Sequence, residues 1–323
     1  MENLFLAWQE FRRGKRNKSD VQGFEFNLED NLFQLHQELR NKTYQHSHYT
    51  PFCVQDPKLR RIHKACVRDR ILHHAVFKIL YPIFDREFIH DSYSCRIIKG
   101  THRAVNRLEK FTRKLSKNNT KNIFALKCDI RKFFGSVDQD ILLKLIKKKI
   151  QDNNNTVWLI EKIIKSFPFG IPLGNVTSQL FANIYLNELD QFIKHKLKVR
   201  YYLRYCDDFV ILGENKEDLI RLIRSINNFL QEKLNLSLHS DKIIIRKHHQ
   251  GIDFLGYVVL PHYRVLRTKT KTRIFKKIKK KHQDLQNNFI TEESFNQSLQ
   301  SYFGILKYCK SYKLQNRIKK ILS

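Results

Sequence analysis

Two adjacent aspartates interrupt an apolar, strand-forming stretch of this chain. Residues 200–212 read RYYLRYCDDFVIL, with aromatic and β-branched residues on both sides of Asp207 and Asp208. Asp disfavours strands, and neighbouring carboxylates raise each other's pKa unless a cation intervenes. A simple hairpin turn tolerates Asp, but Phe209 follows at once where such turns favour Gly. The pattern favours a hairpin whose tip presents paired carboxylates to a divalent metal.

A third carboxylate ends another apolar strand. Residues 123–130 read IFALKCDI, and Asp129 comes just before an amphipathic helix. Asp129 could serve as the N-cap of that helix, but Asp138 directly precedes the periodic apolar residues and is the better cap. With the hairpin pair, Asp129 makes a set able to hold two Mg²⁺ about 3.5–4 Å apart for in-line phosphoryl transfer. A nucleotidyl transferase is favoured, and a metal-dependent nuclease is the nearest rival.

The charge of the chain also needs an explanation. Among 323 residues, 61 Lys and Arg face 31 Asp and Glu, which gives a formal net charge of +30. Self-repulsion of this size destabilises a folded chain, and a polyanion relieves it. The charge is uneven, because residues 261–323 carry 16 basic against three acidic residues. Nucleic acid is the expected partner, and a solvated Lys-rich surface is the plainer alternative.

Apolar periodicity divides the chain into helical ends and a mixed centre. Residues 28–39, 68–81 and 101–115 have helical patterns, whereas strand and helix patterns alternate between 123 and 260. Residues 176–197 read as one long helix, residues 254–260 as one strand, and the last 55 or so residues as basic helices. This order predicts an α+β core with helical appendages.

Other classes are disfavoured by what the sequence lacks. No apolar run approaches the roughly 18 residues needed to cross a bilayer, and the first residues lack the order of a signal peptide. The six cysteines form no C-x-x-C and have no zinc-finger spacing. We expect a soluble protein with reduced, partly buried thiols in the cytoplasm, with no membrane partner.

The motifs of the chain resemble those of the reverse transcriptases over the stretch from about residue 50 to the C-terminus. YCDD looks like the Y-x-D-D box of that family, and the segment from Asp129 to Phe134 looks like its D-x-x-x-[FY]-[FY] box. Further boxes follow in the family's order: residues 60–70 and 92–100 (fingers), 170–190 (third core box), 236–242 and 254–259 (later palm and primer grip), and 301–314 (thumb). Any one box is weak, but the whole set in the family's order is specific.

The resemblance implies a right-hand polymerase with helical fingers, an antiparallel-sheet palm and a helical thumb. We expect fingers with an N-terminal helical extension over 1–118, and a palm over 119–261 with a fingers insertion near 145–172. The thumb is expected over 262–323. The implied activity is RNA-directed DNA polymerisation with two Mg²⁺ ions, for which Mn²⁺ can substitute.

The resemblance also implies roles for individual residues. Asp129, Asp207 and Asp208 are the implied catalytic, metal-binding carboxylates, and the carbonyl of Ile130 is a further implied ligand. Phe134 stands at the position of the steric gate that excludes a 2′-hydroxyl, whereas Phe133 is expected in the core. The implied nucleotide-binding residues are Lys58, Arg60, Phe134, Leu173, Gly174 and Lys242. The implied phosphate-tracking residues of the thumb are Lys276, Lys277, Lys279, Lys280 and Lys281.

Several of these roles have plainer alternatives. Lys58 and Arg60 could be solvated surface charges, and Lys242 could be a strand-edge lysine instead of a triphosphate contact or general acid. The thumb lysines could form an ordinary solvated helix face.

The third core box indicates which subgroup of the reverse transcriptases the chain resembles. Most bacterial and organellar members carry Gln-Gly and then Ser-Pro there, whereas this chain has Leu173-Gly174 and Ser178-Gln179. That form resembles the enzymes of diversity-generating retroelements, which misincorporate opposite template adenine. The implied partners are a template RNA, the RNA/cDNA duplex, deoxynucleoside triphosphates and a small basic helical accessory protein. A compact retron-like or phage-defence enzyme and a catalytically inactive RNA-binding scaffold remain alternatives.

Overall fold

The N-terminal part of the protein is mainly helical. The structure is a computed structural model that describes residues 1–55, 58–150 and 154–322. The predicted helical patterns form helices, and a short hairpin that the sequence did not indicate lies between them. The elements are α1 (Glu2–Arg12), α2 (Ser19–Phe26), α3 (Leu28–Arg40), β1 (Thr50–Gln55), β2 (Leu59–Lys64), α4 (Val67–Asp85) and α5 (Thr101–Leu115).

Strands and helices alternate in the centre, as expected, and helices return at the end. The elements are β3 (Phe124–Asp129), α6 (Phe133–Ser136), α7 (Gln139–Ile150), α8 (Asn154–Lys165), α9 (Val176–Gln191), β4 (Tyr202–Tyr205), β5 (Asp208–Gly213), α10 (Lys216–Leu234), β6 (Ile244–Lys247), β7 (Ile252–Phe254), β8 (Tyr257–Val259), β9 (Arg264–Leu266), α11 (Thr268–Gln286), α12 (Glu292–Leu306) and α13 (Tyr312–Leu322). Helices and antiparallel sheets thus share one chain, and the predicted α+β class is confirmed.

One detail of the central prediction was refined and another was wrong. The long helix predicted over 176–197 is present, as the α-helix Val176–Gln191 followed directly by a π-helical turn, Phe192–Lys196. The strand predicted over 254–260 is a hairpin, because Leu255 and Gly256 take positive φ angles of 50° and 88° between β7 and β8. Leu is not a usual residue for that conformation, so the turn has no clear sequence signal.

A four-stranded antiparallel sheet carries the functional segments. Its strand order is β4-β5-β3-β6. Side chains alternate between its faces, as the pleat requires. Leu126 and Ile211 pack into the larger apolar core with α4 and α9, whereas Ala125 and Val210 pack into a second core with α5 and the C-terminal helices. Because both faces are covered, the sheet is a rigid support for residues at its ends.

A second, three-stranded sheet, β7-β8-β9, joins the central sheet to the C-terminal helices. Phe254 and Val259 from this sheet share the second core with Ile274 of α11 and Leu306 of α12. Among the described residues, no helix is both long and apolar enough to cross a membrane.

Candidate active site

The register of the central sheet brings the three aspartates together. Asp129 at the end of β3 pairs directly with Asp208 at the start of β5, and Asp207 lies in the turn before it. The backbone N–H of Ile130 donates to the carbonyl of Asp207 at 3.2 Å, which ties the turn to the end of β3. Asp138 caps α7 by accepting from the N–H groups of Asp140 and Ile141 at 2.9 and 3.0 Å. Asp129 is therefore free of the capping role, as the sequence predicted.

Two lysines neutralise the ends of this carboxylate set. Lys242 Nζ lies 2.6 Å from Asp129 Oδ1. Lys127, two residues before Asp129 on the same face of β3, places its Nζ 3.2 Å from Asp208 Oδ2. The same Nζ donates to the carbonyl of Asp253 in β7 at 3.0 Å. Both ion pairs are partly shielded from solvent, with Asp129 and Asp208 each 21% exposed at the side chain.

The electrostatics of the set fit a divalent cation. Burial, together with the neighbouring Asp129, raises the pKa of Asp207. Burial raises the pKa of Asp208 to about 6, although Lys127 opposes the shift. The buried Oδ1 of Asp208 has no hydrogen-bond partner. Burial makes the ionised form of these carboxylates costly, and a nearby cation would offset that cost. Carboxylate oxygens are the ligands that Mg²⁺ prefers.

The carboxylates are nevertheless not yet arranged as a ligand cage. Within 1–55, 58–150 and 154–322, no group of three His, Cys, Asp or Glu side chains stands ready to hold a metal ion. Lys242 pairs with Asp129 and Lys127 pairs with Asp208. A metal ion would therefore have to displace these ammonium groups.

The two phenylalanines after Asp129 differ in environment. Phe133 is 2% exposed and belongs to the larger core. Phe134 is only partly buried, and its carbonyl accepts from the N–H of Ile171 at 2.8 Å. A Cβ on Gly170, whose φ is +64°, would lie 2.1 Å from that same carbonyl oxygen. The third box is thus docked on the backbone of Phe134, and only glycine permits the approach.

The third box also contacts the hairpin formed by β1 and β2. The carbonyl of Leu173 accepts from the N–H of His63 at 2.9 Å. Gly174 has a φ of +115°, and a Cβ there would lie 2.7 Å from Ile62 Cγ2. Asn175 is 2% exposed, and its Oδ1 has no hydrogen-bond partner. Leu173 and Gly174 therefore lie where the hairpin meets the start of α9.

The basic candidates lie on exposed surfaces. Lys58 precedes β2 and Arg60 lies in it, and neither forms an ion pair with any residue in the described ranges. On α11, Lys276, Lys279 and Lys280 are exposed, whereas Lys281 donates to Ser298 of α12. The roles of all these residues stay predictions, as does that of the Ile130 carbonyl.

Sequence reasoning missed two basic residues of the site. Lys127 lies in an apolar strand on the same face as Asp129, and Arg204 lies in another apolar strand two residues before the turn. A charge inside a buried strand is itself a signal, because it needs a partner. Its partners depend on strand register and helix packing, which the sequence alone does not provide.

A comparison with protein families decides the class. Residues 55–259 match the family described as reverse transcriptase (RNA-dependent DNA polymerase). The chain belongs to the reverse transcriptase family. The matched range contains the three aspartates, Lys127 and Lys242, as well as the third box.

Curated relatives point to the same family. Protein YkfC of Escherichia coli is 25% identical over 241 residues, which is 62% of this chain and 63% of that protein. The group II intron-encoded protein LtrA of Lactococcus lactis subsp. cremoris is 25% identical over 272 residues, 62% of this chain and 44% of that protein. The chain spans less than two thirds of the length of these curated relatives.

Solved structures show the fold. Apo telomerase from Candida tropicalis superposes with a TM-score of 0.53 at 13% identity, covering 74% of this chain and 52% of that one. Telomerase from the same organism with a fragment of telomeric RNA gives a TM-score of 0.55 at 13% identity, covering 88% and 58%. The predicted right-hand polymerase fold, with an antiparallel-sheet palm between helical fingers and thumb, is confirmed.

Proposed function

We propose that this protein is an RNA-directed DNA polymerase that makes cDNA from a template RNA by two-metal nucleotidyl transfer. The observation that carries the proposal is the register that sets Asp129 beside Asp208, with Asp207 in the adjoining turn. Membership in the reverse transcriptase family supports the same activity. The division into fingers (1–118), palm (119–261) and thumb (262–323) is part of the proposal.

In this proposal the carboxylates hold two Mg²⁺ ions, with Asp129 and Asp207 as the main ligands and Asp208 in support. When bound, the ions lower the pKa of the primer 3′-hydroxyl and neutralise the pyrophosphate leaving group. Lys242, released from Asp129, would contact the triphosphate or protonate the leaving group. The Phe134 ring would lie beneath the sugar and exclude a 2′-hydroxyl.

The proposed partners are polyanions. Exposed lysines on α11 would follow the phosphates of an RNA/cDNA duplex without reading its sequence. A near A-form duplex is recognised by its shape and 2′-hydroxyls. One of the structurally similar telomerases was solved with a fragment of telomeric RNA, which supports RNA as a binding partner.

Primer extension on an RNA template tests the activity. Asp207→Asn should abolish extension with Mg²⁺ and leave RNA binding nearly unchanged, because the basic surfaces remain. Asp30→Asn, an exposed position on α3, is the matched control and should extend normally. Substantial extension by Asp207→Asn would contradict the metal assignment.

We further propose that the enzyme belongs to a diversity-generating retroelement and works with a small basic accessory protein. The support is the third box, where Leu173 replaces an amide able to hydrogen-bond near the nascent base pair. A good bidentate base contact discriminates by about 1–3 kcal/mol, and each 1.36 kcal/mol changes a rate tenfold. Leu173 should therefore loosen the geometric checking of the incoming nucleotide.

Sequencing cDNA made on one adenine-containing RNA tests this subgroup. The unmutated enzyme should misincorporate frequently opposite adenine, and Leu173→Gln should reduce those errors by roughly three- to a hundred-fold. Errors opposite the other three template bases serve as the internal control. High fidelity of the unmutated enzyme with its accessory protein would favour a retron-like or phage-defence polymerase.

A further inference from the structure

Arg204 is a fully buried charge close to the carboxylate turn. Its side chain and that of Asp190, on α9, are both 0% exposed and form a two-pronged ion pair, with Nε 2.8 Å from Oδ1 and Nη2 2.6 Å from Oδ2. The hydroxyl of Tyr202 donates to Asp190 Oδ1 at 2.6 Å. Burying two charges is costly, so a buried pair is weak evidence for stability alone and suggests a more specific purpose.

The remaining donors of Arg204 reach three different segments. Nη1 donates to the carbonyl of Cys206 at 3.0 Å and to Asn183 Oδ1 at 3.3 Å. Nη2 donates to Ser92 Oγ at 3.2 Å. One guanidinium therefore joins α9, the segment around Ser92 and the turn that carries Asp207. The contact to the carbonyl of Cys206 is the one that reaches the turn directly.

The turn needs a contact of this kind because the backbone conformation at Cys206 is unfavourable. Cys206 has a φ of +57°, in the left-handed region that residues with a Cβ seldom adopt. Conformations of this kind persist only where the surroundings fix them. On one side the N–H of Ile130 holds the carbonyl of Asp207, and on the other side Arg204 holds the carbonyl of Cys206.

We propose that Arg204, braced by Asp190, is a positioning residue that fixes the Cys206–Asp207 turn so that Asp207 faces Asp129. The inference rests on the proposed polymerase activity for its kinetic consequences, but the geometry of the turn can be measured without that activity. A lysine at position 204 keeps the charge and loses the fixed fork of donors that reaches both Asp190 and Cys206.

Two variants separate positioning from folding. Arg204→Lys retains a cation for Asp190. Arg204→Met combined with Asp190→Asn removes both charges, so that no unpaired charge remains buried, and leaves Tyr202 a partner. Arg12→Lys is the matched control, because Arg12 pairs with Glu25 between α1 and α2 and contacts no residue of the turn.

Three measurements are made on each full-length variant. In primer extension, kcat should fall by about 10²-fold for both Arg204 variants, as misplaced catalytic groups do. KM for the nucleotide should stay within about threefold, since Arg204 is not at the nucleotide. Mn²⁺ binding by electron paramagnetic resonance should weaken, and amide hydrogen exchange across 203–209 should accelerate. The Arg12→Lys control should match the unmutated enzyme in all three.

The experiments distinguish failure of the positioning role from failure of the proposed polymerase activity. An unmutated enzyme without primer extension would overturn the polymerase proposal, while metal binding and hydrogen exchange would still decide the role of Arg204. Folded Arg204 variants with unchanged kcat, Mn²⁺ binding and exchange would overturn the positioning role. Loss of folding in both variants would also overturn it, because the pair would then be a folding requirement.

Discussion

At the residue scale, Phe134 offers a direct test of sugar selection. Phe134 is partly buried and its carbonyl accepts from the N–H of Ile171, so truncation of the side chain should leave the main chain in place. Phe134→Ala should raise ribonucleotide incorporation more than it lowers deoxynucleotide incorporation. Single-nucleotide extension with both substrates measures this ratio.

The control for that experiment is Phe169→Ala, because Phe169 is 79% exposed and lies just before Gly170. It should leave discrimination unchanged. Equal discrimination by Phe134→Ala and the unmutated enzyme would place the gate at another residue.

The residues that the sequence singles out as candidates are those that break a local pattern. Asp129, Asp207 and Asp208 stand where strand residues should be apolar, so chemistry was a better explanation than packing. Lys127 and Arg204 break the pattern too, but the role of each depends on which carboxylate or carbonyl group it contacts. Those partners are set by the pairing of β3 with β5 and by the packing of α9.

At the element scale, Gly170 fixes how the third box lies on α6. Gly170→Ala should lower the free energy of unfolding by about 1–3 kcal/mol, because the backbone conformation is left-handed and the new Cβ would overlap the Phe134 carbonyl. Chemical denaturation measures the loss.

Gly23→Ala is the matched control, since Gly23 lies inside α2 and an added Cβ would have no neighbouring atom within 4 Å. It should raise the free energy of unfolding by about 0.5–1 kcal/mol. Equal effects of the two substitutions would mean that the close approach at Gly170 is easily relaxed.

The contact between α4 and α9 should make stability depend on pH. His73 of α4 is 1% exposed and bonds through its ring to Thr177 of α9 at 3.2 Å and to His46 at 3.1 Å. Burial, together with His46, lowers the pKa of His73 to about 3, whereas Asp69 opposes the shift and His74 adds to it. Between about pH 3 and pH 6.5, His73 is therefore protonated in the unfolded chain and neutral in the folded chain.

The free energy of unfolding should fall as pH falls from about 6.5 toward 4, by up to about 1.4 kcal/mol per pH unit from this residue. Its contribution is fully present above pH 6.5. His73→Gln should flatten the dependence, and His195→Gln, at an exposed position, should not. Denaturant unfolding at several pH values gives the slopes, and identical slopes for all three proteins would contradict the assignment.

Elements with a clear apolar period were predictable, and those that depend on distant contacts were not. The apolar residues of α10, Lys216–Leu234, repeat with a strong helical period, which is enough to indicate a helix. The hairpin of β1 and β2 is exposed along nearly its whole length, so it has no alternation to detect. It is held instead by backbone contact between His63 and Leu173.

At the scale of the whole molecule, the net charge of +30 should govern RNA affinity. Each neutralised phosphate contributes roughly 0.7–0.9 to the slope of log affinity against log salt. Lys276, Lys279 and Lys280 are exposed on one face of α11. Converting all three to Gln should reduce the slope by about two units.

The control converts three scattered exposed lysines, Lys42, Lys196 and Lys216, to Gln. It removes the same charge, so any general effect of net charge appears in both proteins. Filter binding over a range of salt concentrations gives the slopes. Equal slopes for the two triple variants would place the RNA on another surface.

The two lysine–aspartate pairs have a consequence for how the enzyme is assembled. Lys242 and Lys127 act as internal counterions, so the acidic cluster does not depend on an external cation to relieve its repulsion during folding. We therefore expect folding not to depend on metal loading, unlike in small metal-folded domains. If metal ions bind as proposed, the ammonium groups of Lys242 and Lys127 would be released from Asp129 and Asp208 and would be available to a substrate that brings negative charge of its own.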